Sequence, residues 1–310
     1  MLLSPYMRPS LTVVVVRDHI YPDKFYAPFE DFETCLEGLV NQSFSEPFKI
    51  LICVQTGDFD YLSNLVASSF SSKLDIEVIS CPAQSSIELK NFAALKVDTP
   101  LVLSLDADTK MLPDCMQLMV NALRSQDKVD VVSGVTTYGD DSAWRRVAAV
   151  VDRGNEDTLG FCRTKYISTN FSMMRSELIK QSSLQHKTHF TESWQRMARL
   201  HAQGVGIYSE SAAVAHHAYP GISLCHDFNR TLGFAQMQSD LNPSIGLFVK
   251  KVWRRGRGSF GNLKRLRKGR LCATDWLVSP VVVALSLYFY GCGMAGAMRG
   301  KKNASVESFV

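Results

Sequence analysis

The chain has 310 residues, 46 % of them hydrophobic and 21 % charged. That is length for one large or two modest domains, and a composition that excludes intrinsic disorder as the main state. The net charge of +4 hides a split: residues 1–249 sum to −7, residues 250–270 carry ten Lys/Arg and no Asp/Glu, and the tail adds +1. An acidic body argues against nucleic acid as a partner, because a duplex binder needs a basic face on the fold. The eight cysteines form no CxxC pair, which argues against a zinc ribbon or redox dithiol. They read as reduced thiols of a cytosolic protein, several within apolar runs such as Ile50–Val54. The first ten residues show no signal-peptide core.

The first half alternates strand and helix. Leu11–Val16 is a β-branched apolar run. Residues 30–41 then place Phe32, Cys35, Leu36, Leu39 and Val40 at helical spacing. Strands are predicted at 48–54, 76–80, 101–105 and 129–135. Helices are predicted at 58–70, after Ser86 through Leu89, Ala93 and Ala94, and from Pro113, a residue the first helical turn tolerates. Ser86 reads as a helix cap. This order implies a mainly parallel sheet covered on both faces. Residues 140–165 are polar and read as a wrap over a site. A strand is predicted over 168–174, a helix over 191–203 ending at Gly204, and a strand over 205–209.

The last third changes character. The basic run 250–270 is interleaved with Trp253, Phe260, Leu263 and Leu266. Trp276–Ala297 carries no charge, and as a helix would span about 33 Å, enough for a hydrocarbon core. The polybasic flank suits anionic membrane lipids and puts the body on the cytoplasmic side. Three segments follow: 1–235 as the main domain, 236–274 as a basic membrane-proximal segment, and 275–310 as a hydrophobic membrane-associated helix and tail.

Asp106 and Asp108 carry the sharpest chemistry. They stand one residue apart at the C-terminal end of a buried strand, the edge where open α/β sheets bind ligands. Strand geometry points both to one face. Two hard oxygen ligands suit Mg²⁺ or Mn²⁺ bridging phosphate oxygens. Haloacid-dehalogenase phosphatases use a DxDx(T/V) pattern after the first strand. Here Lys110 stands two beyond Asp108, and the pair follows the fourth strand. Lys90-Asn91 suits a phosphate and a loop, or else a solvated lysine beside a cap. Asp58 suits a base or ribose, or else a helix cap. Glu192 opens a helix, where the dipole favours a carboxylate, and suits a general base. Of His216-His217, successive side chains of an extended segment point oppositely, so one of the two imidazoles completes a metal site.

This order of signals resembles the family-2 glycosyltransferases with the GT-A fold. The matching pieces are the opening strand 11–16, the turn Leu39-Val40-Asn41-Gln42-Ser43, Lys90-Asn91-Phe92-Ala93 and Leu105-Asp106-Ala107-Asp108. Thr191-Glu192-Ser193-Trp194, Gly204 and His216 follow. The likeness covers roughly residues 10–235. It implies an α/β GT-A fold with a nucleotide-binding sheet flanked by helices. It also implies inverting transfer of a sugar from a nucleotide-sugar donor to a saccharide or lipid-linked acceptor. In that reading Asp106, Asp58, Lys90 and Asn91 face the donor, Asp108 and His216 hold the metal, and Glu192 is the base. Two departures matter. Val54-Gln55-Thr56-Gly57-Asp58 stands where the family has a VDDGS-like turn, and Ser193 stands where it has the presumed Asp base. They motivate a second reading, a catalytically impaired GT-A domain acting as a membrane-associated binding or assembly subunit. A QxxRW motif is absent from the sequence, which favours single addition over polymer synthesis. A nucleotidylyltransferase would need a Gly-rich loop after the first strand, and Val16-Arg17-Asp18-His19 has no glycine.

Overall fold

A computed structural model describes residues 9–17, 30–82, 86–126, 128–183, 192–218, 222–238, 240 and 243–300. At residues 17, 30–31, 86–87, 192–195 and 222–227 it describes the backbone alone. The elements in chain order are β1 (Leu11–Arg17), α1 (Glu30–Val40), β2 (Phe48–Gln55), a 3-10 turn (Thr56–Asp58), α2 (Phe59–Ser69), β3 (Ile76–Cys81) and α3 (Ser86–Lys96). Next come β4 (Leu101–Asp106), β5 (Thr109–Met111), α4 (Cys115–Ser125), β6 (Val131–Thr137), α5 (Ala143–Arg153), β7 (Cys162–Arg163) and β8 (Phe171–Arg175). The chain closes with α6 (Ser176–Gln181), α7 (Glu192–Ala202), β9 (Ile207–His217), α8 (Ile222–Gln238), α9 (Ile245–Leu266) and α10 (Asp275–Gly300).

The nine strands form one sheet in the order β3-β2-β1-β4-β8-β6-β9-β5, with β7 paired to β9. β3, β2, β1 and β4 are parallel neighbours. β8 runs antiparallel to both β4 and β6. The expected α/β class holds. The residues divide into two compact units, 1–135 with 160–215 and 136–159 with 216–310.

In the first unit the strands read as unbroken apolar runs because both faces are covered. Period-two alternation sorts their side chains. Leu11, Val13, Val15, Ile50, Ile52, Val54, Leu103 and Leu105 enter one core, packed by Leu36 of α1, Leu62 of α2 and Met119 of α4. Val14, Val16, Leu51, Cys53 and Val102 enter the other, packed by Leu89 of α3, Ile179 of α6 and Leu200 of α7. Each such buried aliphatic side chain contributes about 1.5–3 kcal/mol relative to exposure. The buried Thr12 meets Thr99 hydroxyl to hydroxyl at 2.7 Å.

Glu46 ties the start of this unit together. It accepts from Ser10 Oγ at 2.8 Å and from Arg124 Nη2 of α4 at 2.9 Å. The Arg124 and Ser10 hydrogen bonds lower its pKa from 4.5 to about 2. Its contribution is therefore whole above pH 4.5, shrinks as pH falls between those values, and is gone below about 2. Glu46→Gln is expected to lower Tm at pH 7 by a margin that closes as pH approaches 2. A margin constant across that window in thermal melts would contradict the assignment.

The second unit is helical. α9 and α10 form an antiparallel hairpin: a Cβ added at Gly256 would lie 3.2 Å from Leu287, and one at Gly291 would lie 3.5 Å from the Phe248 ring. Leu263, Leu266, Val282 and Val283 share a core with Val147, Val150 and Val151 of α5. α8 and α10 touch backbone to backbone. A Cβ at Gly233 would lie 2.1 Å from the Tyr290 carbonyl oxygen, and one at Gly293 would lie 1.8 Å from that of Arg230. Only glycine allows so close an approach. The buried Asp152 and Asp275 are paired. Arg146 donates to Asp275 at 2.8 and 3.2 Å, and Asn229 donates to Asp152 at 2.9 Å. Burial raises the Asp152 carboxyl above its ordinary value, against the pull of Arg255, Asn229, Arg153 and Tyr138. α10 is the one described helix with the length and composition to cross a bilayer, and 39 % of its apolar window is buried inside the protein.

Some sequence expectations shift. The stretch 140–165 contains α5 rather than a bare wrap, β9 runs on to His217, and α4 begins at Cys115, after Pro113. The seven described cysteines are free thiols, while Cys225 lies outside the described side chains.

Candidate active site

The carboxyl ends of the parallel strands form one edge. Val16 pairs with Asp106, Arg17 with Val54 and Gln55 with Cys81. Asp58 lies in the turn that leaves β2. It occupies the N-cap position of α2, yet its side chain makes no capping hydrogen bond. Lys90 and Asn91 lie on α3, which follows β3.

The tip of β4 is clamped from three sides. The Ala107 N–H donates to the Val16 carbonyl at 3.3 Å, and the Asp106 N–H donates to that of Asn170 at 3.2 Å. The Cys35 thiol donates to the Asp106 carbonyl at 3.7 Å. Burial first, and the charge of Asp108 second, push the Cys35 thiol well up, so it stays protonated and can donate. Lys90 Nζ stands 3.2 Å from Asp106 Oδ1, both side chains largely buried. A fixed cation on Asp106 leaves the set Lys90, Asp106 and Asp108 with a net charge of −1. A divalent ion would invert that sign to suit a diphosphate.

Past Asp108 the chain enters β5, which pairs with β9. The Leu112 N–H and the Cys115 thiol both donate to the Val214 carbonyl, at 3.1 and 2.9 Å. This pairing fixes the phase of β9 beside the acidic turn. Asp106, Asp108 and His217, at the ends of sheet strands, each offer a ligand atom, all within 4.8 Å of one another. The hydrogen bond from His217 Nδ1 to the Ala218 carbonyl is 2.8 Å. A carbonyl oxygen only accepts, so Nδ1 is the donor here and Nε2 is the nitrogen a metal would take. Three hard or borderline ligands in that compass fit a divalent cation.

The imidazole in this group is therefore His217, where the sequence reading expected His216. Adjacent side chains of an extended strand face opposite ways, and residue counting alone cannot say which faces the carboxylates. His216 Nε2 is buried with no hydrogen-bond partner among the described residues. Glu192 opens α7; its side chain, like those of Ser193 and Trp194, lies outside the described ones.

The fold is the GT-A arrangement of a sheet with helices on both faces. The mannosyltransferase PcManGT from Pyrobaculum calidifontis, solved with GDP-Man and Mn²⁺, is similar at a TM-score of 0.58 and 14 % identity, over 96 % of this chain and 89 % of that one. Residues 1–349 of TarS from S. aureus, solved with UDP, give 0.48 and 12 % identity, over 94 % and 92 %. No curated protein sequence matches the chain. The model of glycosyl transferase family 2 matches residues 25–185, over half of the chain. The chain belongs to that family and is a glycosyltransferase. Asp58, Lys90, Asn91, Asp106 and Asp108 fall inside the matched stretch; Glu192, His216 and His217 fall beyond it.

Proposed function

We propose that this chain transfers a sugar from a nucleotide-sugar donor to a hydroxyl of a saccharide or lipid-linked acceptor, with inversion, at the cytoplasmic face of a membrane. The observation that carries the reading is the grouping of Asp106, Asp108 and His217 at the carboxyl edge of a GT-A sheet. A GT-A relative that holds GDP-Man with Mn²⁺ supports it. Asp108 and His217 would hold Mg²⁺ or Mn²⁺. When bound, that cation would supply positive charge where the leaving diphosphate gathers negative charge. Asp106, neutralised by Lys90, faces the nucleotide, and Asp58 and Asn91 border the same edge. Glu192 takes the proton of the acceptor hydroxyl; the α7 dipole favours its ionised form. Polysaccharide assembly at the membrane is the setting this implies.

Calorimetry of the full chain with a nucleoside diphosphate is expected to show binding only when Mn²⁺ or Mg²⁺ is present. His217→Ala should weaken that binding at least about tenfold, while His216→Ala should change it little. Equal losses would overturn the assignment of His217. The second reading, a binding or assembly subunit, is motivated by Ser193 and by Gln55 at the end of β2. Metal-dependent binding without turnover of any nucleotide sugar would favour it.

A further inference from the structure

Helix α9 buries Leu263 and Leu266 together with small and polar groups, yet leaves a second set of large apolar side chains facing out. Gly256, Ser259 and Asn262 are buried. Arg255 donates to Asn229 at 3.0 Å and lies 3.4 Å from Asp152. Facing out, Ile245, Val249, Trp253 and Phe260 are 76, 59, 72 and 54 % exposed. Their spacings of four, four and seven residues put them on one helical face. The same periodicity sets Lys250, Arg254, Arg257 and Lys264, all exposed, along one side of that stripe. An exposed apolar stripe of this size marks an interaction surface, and a basic border without a single acid marks an anionic partner.

α10 is held by protein partners along its length. Its first residue, Asp275, is buried on Arg146, its middle packs on α5 and α9, and Gly293 near its far end lies against the α8 backbone. Crossing a bilayer would strip it from those partners. On its outer side Leu277, Val281 and Tyr288 remain exposed, again at spacings of four and seven.

We infer that α9 lies in the plane of an anionic lipid surface. Ile245, Val249, Trp253 and Phe260 sink into the boundary between headgroups and acyl chains. Lys250, Arg254, Arg257 and Lys264 meet lipid phosphates, and α10 stays packed in protein. The inference deepens the membrane part of the proposed function. A bilayer suits the stripe better than a nucleic acid does, because a phosphodiester chain rewards the basic border but not Ile245 or Val249.

The test is co-sedimentation of the full chain with phosphatidylserine/phosphatidylcholine vesicles, read together with metal-dependent nucleoside diphosphate binding. The double variant Val249→Ser/Trp253→Ser is expected to lower partitioning at least about tenfold. The triple variant Lys250→Gln/Arg254→Gln/Arg257→Gln should remove the preference for phosphatidylserine and the salt dependence. Both variants should keep wild-type nucleotide binding, so a failure here is distinguishable from a failure of the glycosyltransferase reading. Brominated lipids should quench wild-type fluorescence more than that of Trp253→Phe, and alkaline carbonate should release the protein. Unchanged partitioning of the double variant, retention after carbonate, or displacement from vesicles by polyuridylate would each overturn the inference.

Discussion

Asp108→Ala is expected to abolish metal-dependent turnover, a loss of at least about 10³-fold, while the fold survives. The size follows from the chemistry. Charge stabilisation by a bound cation is worth several kcal/mol at the transition state, and about 4 kcal/mol is already 10³ in rate. The fold survives because Asp108 is only half-buried and belongs to neither core of the first unit. Asp106 and Asp108 repel each other in the metal-free protein, so removing the Asp108 carboxylate leaves the melting temperature unchanged or slightly higher. Activity is lost while stability is not, which separates a ligand from a packing residue. Asp106→Ala differs in kind: it strands the largely buried Lys90 without its carboxylate, and stability should fall along with activity. Turnover by Asp108→Ala within about threefold of wild type would remove the metal from the account.

Glu192→Gln is expected to lower kcat by about 10²–10⁴ with little change in KM, since the amide keeps the shape but cannot accept a proton. The acid limb of the pH–rate profile should vanish with it, because that limb reports protonation of the base. The α7 N-terminus gives the prediction its physical footing: a carboxylate in the first turn is held ionised by the helix dipole. Ser193 occupies the next position and has no basic form near neutral pH. A Glu192→Gln enzyme with wild-type kcat and an intact acid limb would move proton removal to another group. Inactivity of the wild type toward every donor, with metal-dependent nucleotide binding retained, would instead support the assembly-subunit reading.

The first unit was legible in the residues because its physics is local. β1, β2 and β4 are buried on both faces, so their letters are unbroken apolar runs. The acidic pair was legible for the same reason: such a run ends on two carboxylates. Of the second unit, the uncharged run that forms α10 was legible and the helices packed on it were not. In α5, Arg146 and Asp152 look like a solvated surface, yet Asp152 is buried against Asn229 and Arg255, and the half-buried Arg146 pairs with the buried Asp275. Pairing across 77 to 129 positions leaves no local trace. α8 was missed because Gly233 weakens the helical pattern, and its use shows only against the α10 backbone. β5 has three residues, too few for any period. Its pairing with β9 nevertheless sets which of two adjacent histidines turns to the aspartates, which is why the residues pointed to His216 and the structure groups His217 with them.

Anomalous diffraction at the manganese edge, from crystals of the full chain grown with Mn²⁺ and a nucleoside diphosphate, tests the central claim most directly. The account predicts one strong peak within coordination distance of an Asp108 carboxylate oxygen and His217 Nε2, with the diphosphate completing the shell. A nucleotide bound at the sheet edge with no manganese peak beside Asp108, or a peak ligated by His216 instead, would contradict it.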